Sequence, residues 1–401
     1  MKSSVAIIGG GIIGSAAAYF LARSEHSGSI TVIEPDSSYT KATTPQGAGG
    51  VRQQFSIPEN IEMSRFSLDF YKNFSNEFSD IPNLPDIQFP DIQFPDIHFK
   101  EQGYLFLVTK DGEATLLRNQ QLQTSLGVHA ELIDYDEVRR RFPSICRDDI
   151  ALACYTPDDG WIDPNAALWG FRKAATHLGV SYVSAAVTDI ESSATKITRV
   201  KLDTGTAIEA DVFINAACPW VANIAKMSAA TLPVVPMCRV QHYWKCADAI
   251  EPLPLIKDES GMFFRPEGNG FAGGRPSFGI KPGFVDDINT GYFANYFEDT
   301  VWPLVAGLVP KFESLKLQRS WGGHYAQNQF DGNMIIGPYS PGHGNIITAC
   351  GFSGHGIMHA PAVGRALSEL VMNGSYQTID LTRLEFDRIL RNEPHAEVGI
   401  K

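Results

Sequence analysis

The stretch Val5-Ala-Ile-Ile-Gly-Gly-Gly-Ile-Ile-Gly14, followed by Ser15-Ala-Ala-Ala-Tyr-Phe-Leu-Ala22 and Ile30-Thr-Val-Ile-Glu34, decides the fold. Val5 to Ile8 is an unbroken apolar run, as a parallel strand buried on both faces requires. Gly9, Gly11 and Gly14 then satisfy G-x-G-x-x-G. Gly9 allows the tight turn, Gly11 lets a pyrophosphate approach the backbone, and Gly14 lets the helix pack on the strand. Ile12 and Ile13 open that helix, whose unpaired N–H groups and positive dipole end face the phosphates. A second strand ends in Glu34, twenty residues after Gly14. Its carboxylate accepts the hydroxyls of an adenosine ribose before Pro35 turns the chain away. A lone G-x-G-x-x-G is a weak signal; a strand before it, a helix after it and an acid closing the next strand make it a dinucleotide site. The motif does not choose between NAD and FAD.

Working outward, 401 residues suffice for two lobes, and 44% hydrophobic with 19% charged residues describes a folded chain with an ample core. The net charge of −12 argues against nucleic acid and anionic membrane surfaces as partners. No apolar run reaches the length of a membrane span. The N-terminal apolar stretch is read as the first strand and not as an export signal. The cysteines Cys146, Cys154, Cys218, Cys238, Cys246 and Cys350 show no C-x-x-C pair. Reduced thiols in a cytoplasmic compartment are therefore expected. Cys350, beside a glycine turn, reads as a buried structural thiol, with reactivity the alternative.

Beyond Glu34 the run Thr43-Thr-Pro-Gln-Gly-Ala-Gly-Gly-Val-Arg52 holds four small residues in a row, Gly47 to Gly50, which suits backbone lying against something flat or anionic. Helices are expected from Glu59 to Phe78, Gly112 to Leu126, Asp134 to Arg141, and from the Asp163 N-cap to His177. Residues 85–99 triplicate a pentapeptide, twice Pro-Asp-Ile-Gln-Phe and then Pro-Asp-Ile-His-Phe. An odd period with proline in every copy suits no paired strand, so a surface insertion is expected, a lid the alternative. A strand meander follows over Ala186 to Ala217, including one strand from Ala207 to Asn215. Ile346 to Leu370 is again strand, glycine turn and helix, a second helix N-terminus that faces an anion.

With Gly9 to Glu34 at one end and Gly351-Phe-Ser-Gly-His-Gly356 at the other, the chain resembles the D-amino-acid-oxidase-like superfamily of FAD proteins. Within it the resemblance is to the sarcosine oxidase, glycine oxidase and dimethylglycine dehydrogenase branch. Asn215-Ala-Ala-Cys-Pro-Trp220 and Trp321-Gly-Gly323 add to it. The resemblance implies an α/β fold: a Rossmann-like FAD domain of the glutathione-reductase type (1–84, 145–232 and 318–401) with an interleaved mixed-sheet substrate domain (85–144 and 233–317). It implies that Val187 contacts the adenine side, Thr43 and Thr44 the pyrophosphate, and Gly49, Gly50, Val51 and Arg52 the isoalloxazine. Ala216, Trp220 and Gly322 complete the cradle, and Gly351, Phe352, Ser353, Gly354, His355 and Gly356 cap the pyrimidine edge. Backbone donors at a helix N-terminus stabilise negative charge that develops there. The implied chemistry is oxidation of a C–N bond in an amine or amino acid by hydride transfer to flavin N5, with O2 or another electron acceptor completing the cycle.

Several positions depart from the branch. Met358 stands where a lysine holds the substrate carboxylate in sarcosine oxidases, and His324 or Tyr325 near where glycine oxidases carry an arginine. Arg52, Arg239, Arg265, Arg275 and Arg319 are the cations left to substitute. Arg52 is the choice because it follows the glycine run; surface or phosphate-neighbouring ion pairs account for the other four. Tyr325 and His355 complete the catalytic candidates. The oxygen-activating lysine would fall near Ala272, with Lys281 close by. His355 and His359 at i, i+4 lack a zincin carboxylate, so no metal is expected. Two alternatives stay open: a 2-hydroxy-acid dehydrogenase of the same fold, and a flavin-binding assembly protein without turnover. Gly323 and Gln46 occupy the positions of the branch's covalent attachments, so the FAD is expected to be non-covalent. Acid precipitation should leave a colourless pellet and a yellow supernatant; flavin retained on the denatured chain would refute this.

Overall fold

Val5–Ile8 lies inside a six-stranded sheet in the order Ile335–Pro338, Ile346–Cys350, Val212–Asn215, Val5–Ile8, Ile30–Ile33, Ser181–Val183. All neighbours are parallel except the first pair. The computed structural model describes the chain apart from residues 1–2, 25, 27, 82–94, 278, 289–292, 340–342 and 401. The first strand is buried along its whole length, as its sequence requires. The chain leaves it toward Ile30–Ile33 on one side and Val212–Asn215 on the other. That reversal creates the crevice at the strands' carboxyl ends where doubly wound sheets bind ligands.

Helices cover this sheet. Ile12–Arg23 packs closest: a Cβ on Gly14 would stand 1.9 Å from the carbonyl oxygen of Gly9. Pro164–His177 begins where Asp163 accepts from the N–H groups of Asn165 and Ala166, at 2.9 and 3.0 Å. Gly356–Asn373 ends at Gly374, whose φ of +72° a side chain would resist. Pro361 lies inside this last helix and cannot donate to the carbonyl of Ile357. The Tyr71 hydroxyl, on helix Pro58–Lys72, donates to that carbonyl instead at 2.7 Å. A proline that would break an isolated helix is thus accommodated by a side chain from its neighbour.

The second large sheet has eight strands in the order Lys316–Asn328, Val234–Lys245, Gly270–Gly274, Phe263–Glu267, Leu255–Asp258, Tyr104–Val108, Leu152–Thr156, Glu131–Ile133. Only the pair Leu255–Asp258 and Tyr104–Val108 is parallel. The mixed-sheet lobe is therefore present, and its strands include Leu152–Thr156 and Lys316–Asn328, from the 145–232 and 318–401 segments expected in the dinucleotide lobe. Pairing with Tyr104–Val108 and Glu131–Ile133 draws Leu152–Thr156 across. A small sheet joins Gly50–Val51 and Lys100–Glu101 to Gly160–Trp161.

Two further expectations change. The run Ala207 to Asn215 is two strands: Ala207–Glu209 stays in the antiparallel meander, and Val212–Asn215 enters the parallel sheet. Between them the Asp211 carboxylate binds the backbone N–H and hydroxyl of Ser4, at 2.7 and 2.8 Å, and so redirects the chain. The first two pentapeptides lie outside the described residues. In the third, Ile97 is buried in the core and its carbonyl accepts from Asp163 N at 2.7 Å. Cys350 is fully buried, and burial pushes its thiol up, so it is a packing residue. Among the described residues no helix is long and apolar enough to cross a membrane. Tyr71→Phe, which strands the Ile357 carbonyl, should destabilise the holoprotein by about 1–3 kcal/mol. Urea unfolding checks this, and an unchanged midpoint would show that another donor serves the carbonyl.

Candidate active site

The carboxyl ends of the parallel strands and one face of the eight-stranded sheet enclose a cavity of ≈ 1220 Å³. Of the residues marked from sequence, Gly9, Gly11, Ile12, Ile13, Glu34, Pro35, Thr43, Thr44, Gly49, Gly50, Val187, Ala216 and Trp220 line it. So do Phe352, Ser353, Gly354, His355 and Gly356 from the second glycine turn, together with Arg52 and Tyr325. Four do not. Gly14 faces the first strand, and Val51 is fully buried in the core. Gly351 turns toward Asn328, and at Gly322 a Cβ would meet Ile288. Its neighbour Gly323 faces the cavity instead, with Gln46 opposite, 2.7 Å from where a Cβ would stand. Strand alternation accounts for that one-residue difference.

The donors fit a dinucleotide. A Cβ at Gly11 would meet nothing within 4 Å, so this position opens to the cavity; at Gly9 it would meet the Ala216 carbonyl oxygen at 2.5 Å. Neither helix that begins here, at Ile12 or at Gly356, has a side-chain cap, so their first N–H groups point into the cavity. The Glu34 carboxylate accepts from Gly10 N at 2.9 Å and Asp36 N at 3.0 Å. Each of its oxygens keeps a second acceptor site for a ribose hydroxyl. Burial raises the Glu34 pKa, and the two N–H bonds oppose that rise.

Arg52 and His355, far apart in sequence, meet here: Arg52 Nη2 lies 3.4 Å from His355 Nε2. Arg52 is only 2% exposed, and its other arm donates to the carbonyl of Gln54. Its guanidinium stands over the rings of Phe55 and Phe106, at 4.2 and 5.0 Å. Behind it, buried Asp159 accepts from Gln53 N, Gln53 Nε2 and Thr156 Oγ1. Burial carries the Asp159 pKa up to about 6 against those hydrogen bonds. Tyr325 carries the Arg239 guanidinium over its ring at 4.7 Å, and both line the cavity. Among the described residues Arg239 has no carboxylate partner, contrary to the ion pair expected from sequence. Arg265 pairs with Glu267 and binds the Ala48 carbonyl, whereas Arg319 lies over Trp321. Lys281 is exposed and outside the cavity lining. His359 is held by Ser64 Oγ at 2.9 Å, and among the described residues no group of three or more His, Cys, Asp or Glu could hold a metal.

Met358, noted from sequence at a clamp position, lines the cavity without a charge. Two features escaped the sequence reading. Gly399 and Ile400 reach it because the Glu397 carboxylate, binding Ser56 N and Asn60 Nδ2, both at 2.6 Å, holds the tail in place. Lys257 lines it as well, and burial followed by the charge of Arg52 brings its pKa down to about 7. The period-two pattern of Leu255-Ile-Lys-Asp258 was the available signal, since it puts Lys257 on the face of Leu255. Replacing Glu34 by Gln removes a charge-assisted bond worth about 1.5–3 kcal/mol, so FAD affinity should fall roughly tenfold to a hundredfold. Titration of apoprotein with FAD measures this, and unchanged affinity would remove Glu34 from ribose binding.

Comparison with known proteins agrees with this geometry. The profile described as FAD dependent oxidoreductase (DAO) matches residues 4–370. FAD-dependent oxidoreductase domain-containing protein 1 of Xenopus laevis is 35% identical, over 100% of this chain and 85% of its own. The crystal structure of L-proline dehydrogenase from P. horikoshii superposes with a TM-score of 0.84 at 26% identity, covering 98% of this chain and 99% of that one. Glycine oxidase from Geobacillus kaustophilus shares the fold, with a TM-score of 0.78 at 22% identity over 96% and 98% of the two chains. A glycine cradle, an acid closing the second strand and a second helix N-terminus at one cavity, matched by a profile over most of the chain, place this protein in the DAO family of FAD-dependent oxidoreductases.

Proposed function

We propose that the protein oxidises a C–N bond of an amine or amino acid, a secondary or N-methyl amine above all. The observation that carries this reading is the continuity of the cavity. The dinucleotide cradle opens directly onto a sheet face bearing the Tyr104, Phe263 and Tyr325 rings and Arg239, with Arg52 at its side. A small polar molecule with an apolar body and an anionic end suits such walls. The names of the structural neighbours, L-proline dehydrogenase and glycine oxidase, support the same class. FAD, when bound, supplies the acceptor for the hydride that leaves the carbon beside nitrogen.

The chain's own residues then have three tasks. The two helix N-termini and the Gly49–Gly50 backbone hold the cofactor by dipole and shape. Rings that line the cavity, among them Tyr104, Phe263, Tyr325 and Phe352, exclude water from the reacting face. Arg52, caged between two rings and tied to Gln54 and His355, is a fixed positive charge and not a mobile arm. Its geometry fits stabilisation of negative charge beside the flavin better than capture of a substrate group. O2 or another electron acceptor completes turnover.

An anaerobic screen of amines, N-methyl amino acids, D- and L-amino acids and 2-hydroxy acids, read by loss of flavin absorbance, tests the reading. Bleaching by amines or amino acids is expected. Bleaching by hydroxy acids alone would replace the reading with a hydroxy-acid dehydrogenase, and no bleaching by any class would favour a non-catalytic flavoprotein. Arg52→Ala should lower the flavin midpoint potential and the reduction rate for every substrate alike. A rise in KM confined to carboxylate-bearing substrates would instead assign Arg52 to substrate binding.

A further inference from the structure

Lys257 lies on strand Leu255–Asp258, where Leu255 and Lys257 share a face. That face abuts the glycine run, since a Cβ on Gly50 would stand 3.3 Å from Leu255 Cδ1. Leu255 and Lys257 are in register with Tyr104 and Phe106 of the parallel neighbour, and the Phe106 ring is one of the two beneath Arg52. Lys257 therefore enters the cavity beside a second, immobilised cation. Among the described residues its Nζ has no hydrogen-bond acceptor or carboxylate partner. Asp258, whose charge acts on Lys257, is taken by Arg147 at 2.6 Å, and Glu259 accepts from the N–H and hydroxyl of Thr109. Lys257 keeps accessible surface in dense surroundings because that surface faces the cavity.

Two neighbouring cations with no directly paired anion among the described residues, in a largely apolar enclosure, repel each other and lose hydration, which the charges of Asp258 on Lys257 and of Asp159 and Glu397 on Arg52 offset only in part. The pKa of Lys257, down to about 7, records that cost. A carboxylate entering beside Lys257 relieves both effects. The positions where related enzymes carry a clamp hold Met358 and Tyr325 here, so the site has no other mobile cation at those points. Resting on the amine-oxidising reading above, we infer that the Lys257 ammonium, beside Arg52, receives the carboxylate of an amino-acid substrate. The substrate class narrows accordingly to amines that bear a carboxylate.

The test uses FAD-loaded wild type, Lys257→Met and Lys257→Arg, with flavin content reporting on folding. Acetate and propionate are titrated against each and read by perturbation of the flavin spectrum. Anaerobic reduction is then followed with N-methyl amino acids and with the matching amines that lack the carboxylate. In Lys257→Met the carboxylate Kd and the amino-acid KM should rise about tenfold to a hundredfold. Lys257→Arg should recover most of that loss, and carboxylate-free amines should be unaffected. Absence of carboxylate binding in wild type, an unchanged Kd in Lys257→Met, or an equal loss for carboxylate-free amines overturns the assignment. Should Lys257→Met fail to hold FAD, Lys257→Gln is read by the same criteria. The two readings fail separately. If no amine or amino acid reduces wild type but Lys257→Met loses carboxylate binding, the amine reading falls and the clamp stands. If amino acids reduce both proteins with the same KM, the clamp falls and the amine reading stands.

Discussion

The fold depends on a close approach between a helix and a strand. A Cβ at Gly14 would stand 1.9 Å from the Gly9 carbonyl oxygen, and one at Gly364 would stand 2.7 Å from the Ala16 backbone. Side chains at either point would force the first helix off the parallel sheet or off the long helix Gly356–Asn373. Because both contacts are tight, helices from opposite ends of the chain begin at the same cavity, uncapped. Two positive dipole ends in one enclosure make it an anion-binding crevice before any charged side chain is counted.

The cations built over that crevice differ in kind. Arg52 is caged by Phe55 and Phe106 and fastened to the Gln54 carbonyl, so its charge has a fixed position. The environment that fixes it also disfavours charge: burial lowers the Arg52 pKa, raises that of Asp159 to about 6 and depresses that of Lys257. Arg52 forms no direct ion pair among the described residues, although the charges of Asp159 and Glu397 act on it, and it shares this poorly hydrated region with Lys257. The supports of that region are structural. Asp159 holds Gln53, Tyr71 serves the carbonyl freed by Pro361, and Glu397 holds the tail against Ser56 and Asn60.

The second lobe shows how non-local pairing alters a local reading. Leu152–Thr156 leaves the dinucleotide lobe because two partner strands distant in sequence complete its hydrogen bonds. Val212–Asn215 separates from Ala207–Glu209 because Asp211 is drawn to Ser4. In each case the residues form strands as their composition suggests, and the sheet they join is chosen by a contact no sequence window contains.

Sequence alone determined the dinucleotide cradle. Gly9, Gly11 and Gly14 act through backbone conformation, and Glu34 through its fixed spacing at the end of the next strand, and both survive translation from sequence into structure almost unchanged. The same holds for the Gly354–His355–Gly356 turn and for the helices capped by Asp134 and Asp163. Tertiary structure decided which of the remaining side chains line the cavity. A strand reverses its face at each residue, so Gly323 and not Gly322 lines the wall, and Lys257 enters a cavity that its sequence neighbourhood did not announce. It also decided charge: the surroundings that shift Lys257 and Asp159 come from segments on either side of them in space. Spacing along the chain specifies where a backbone can bend, whereas desolvation and field depend on what the fold brings alongside.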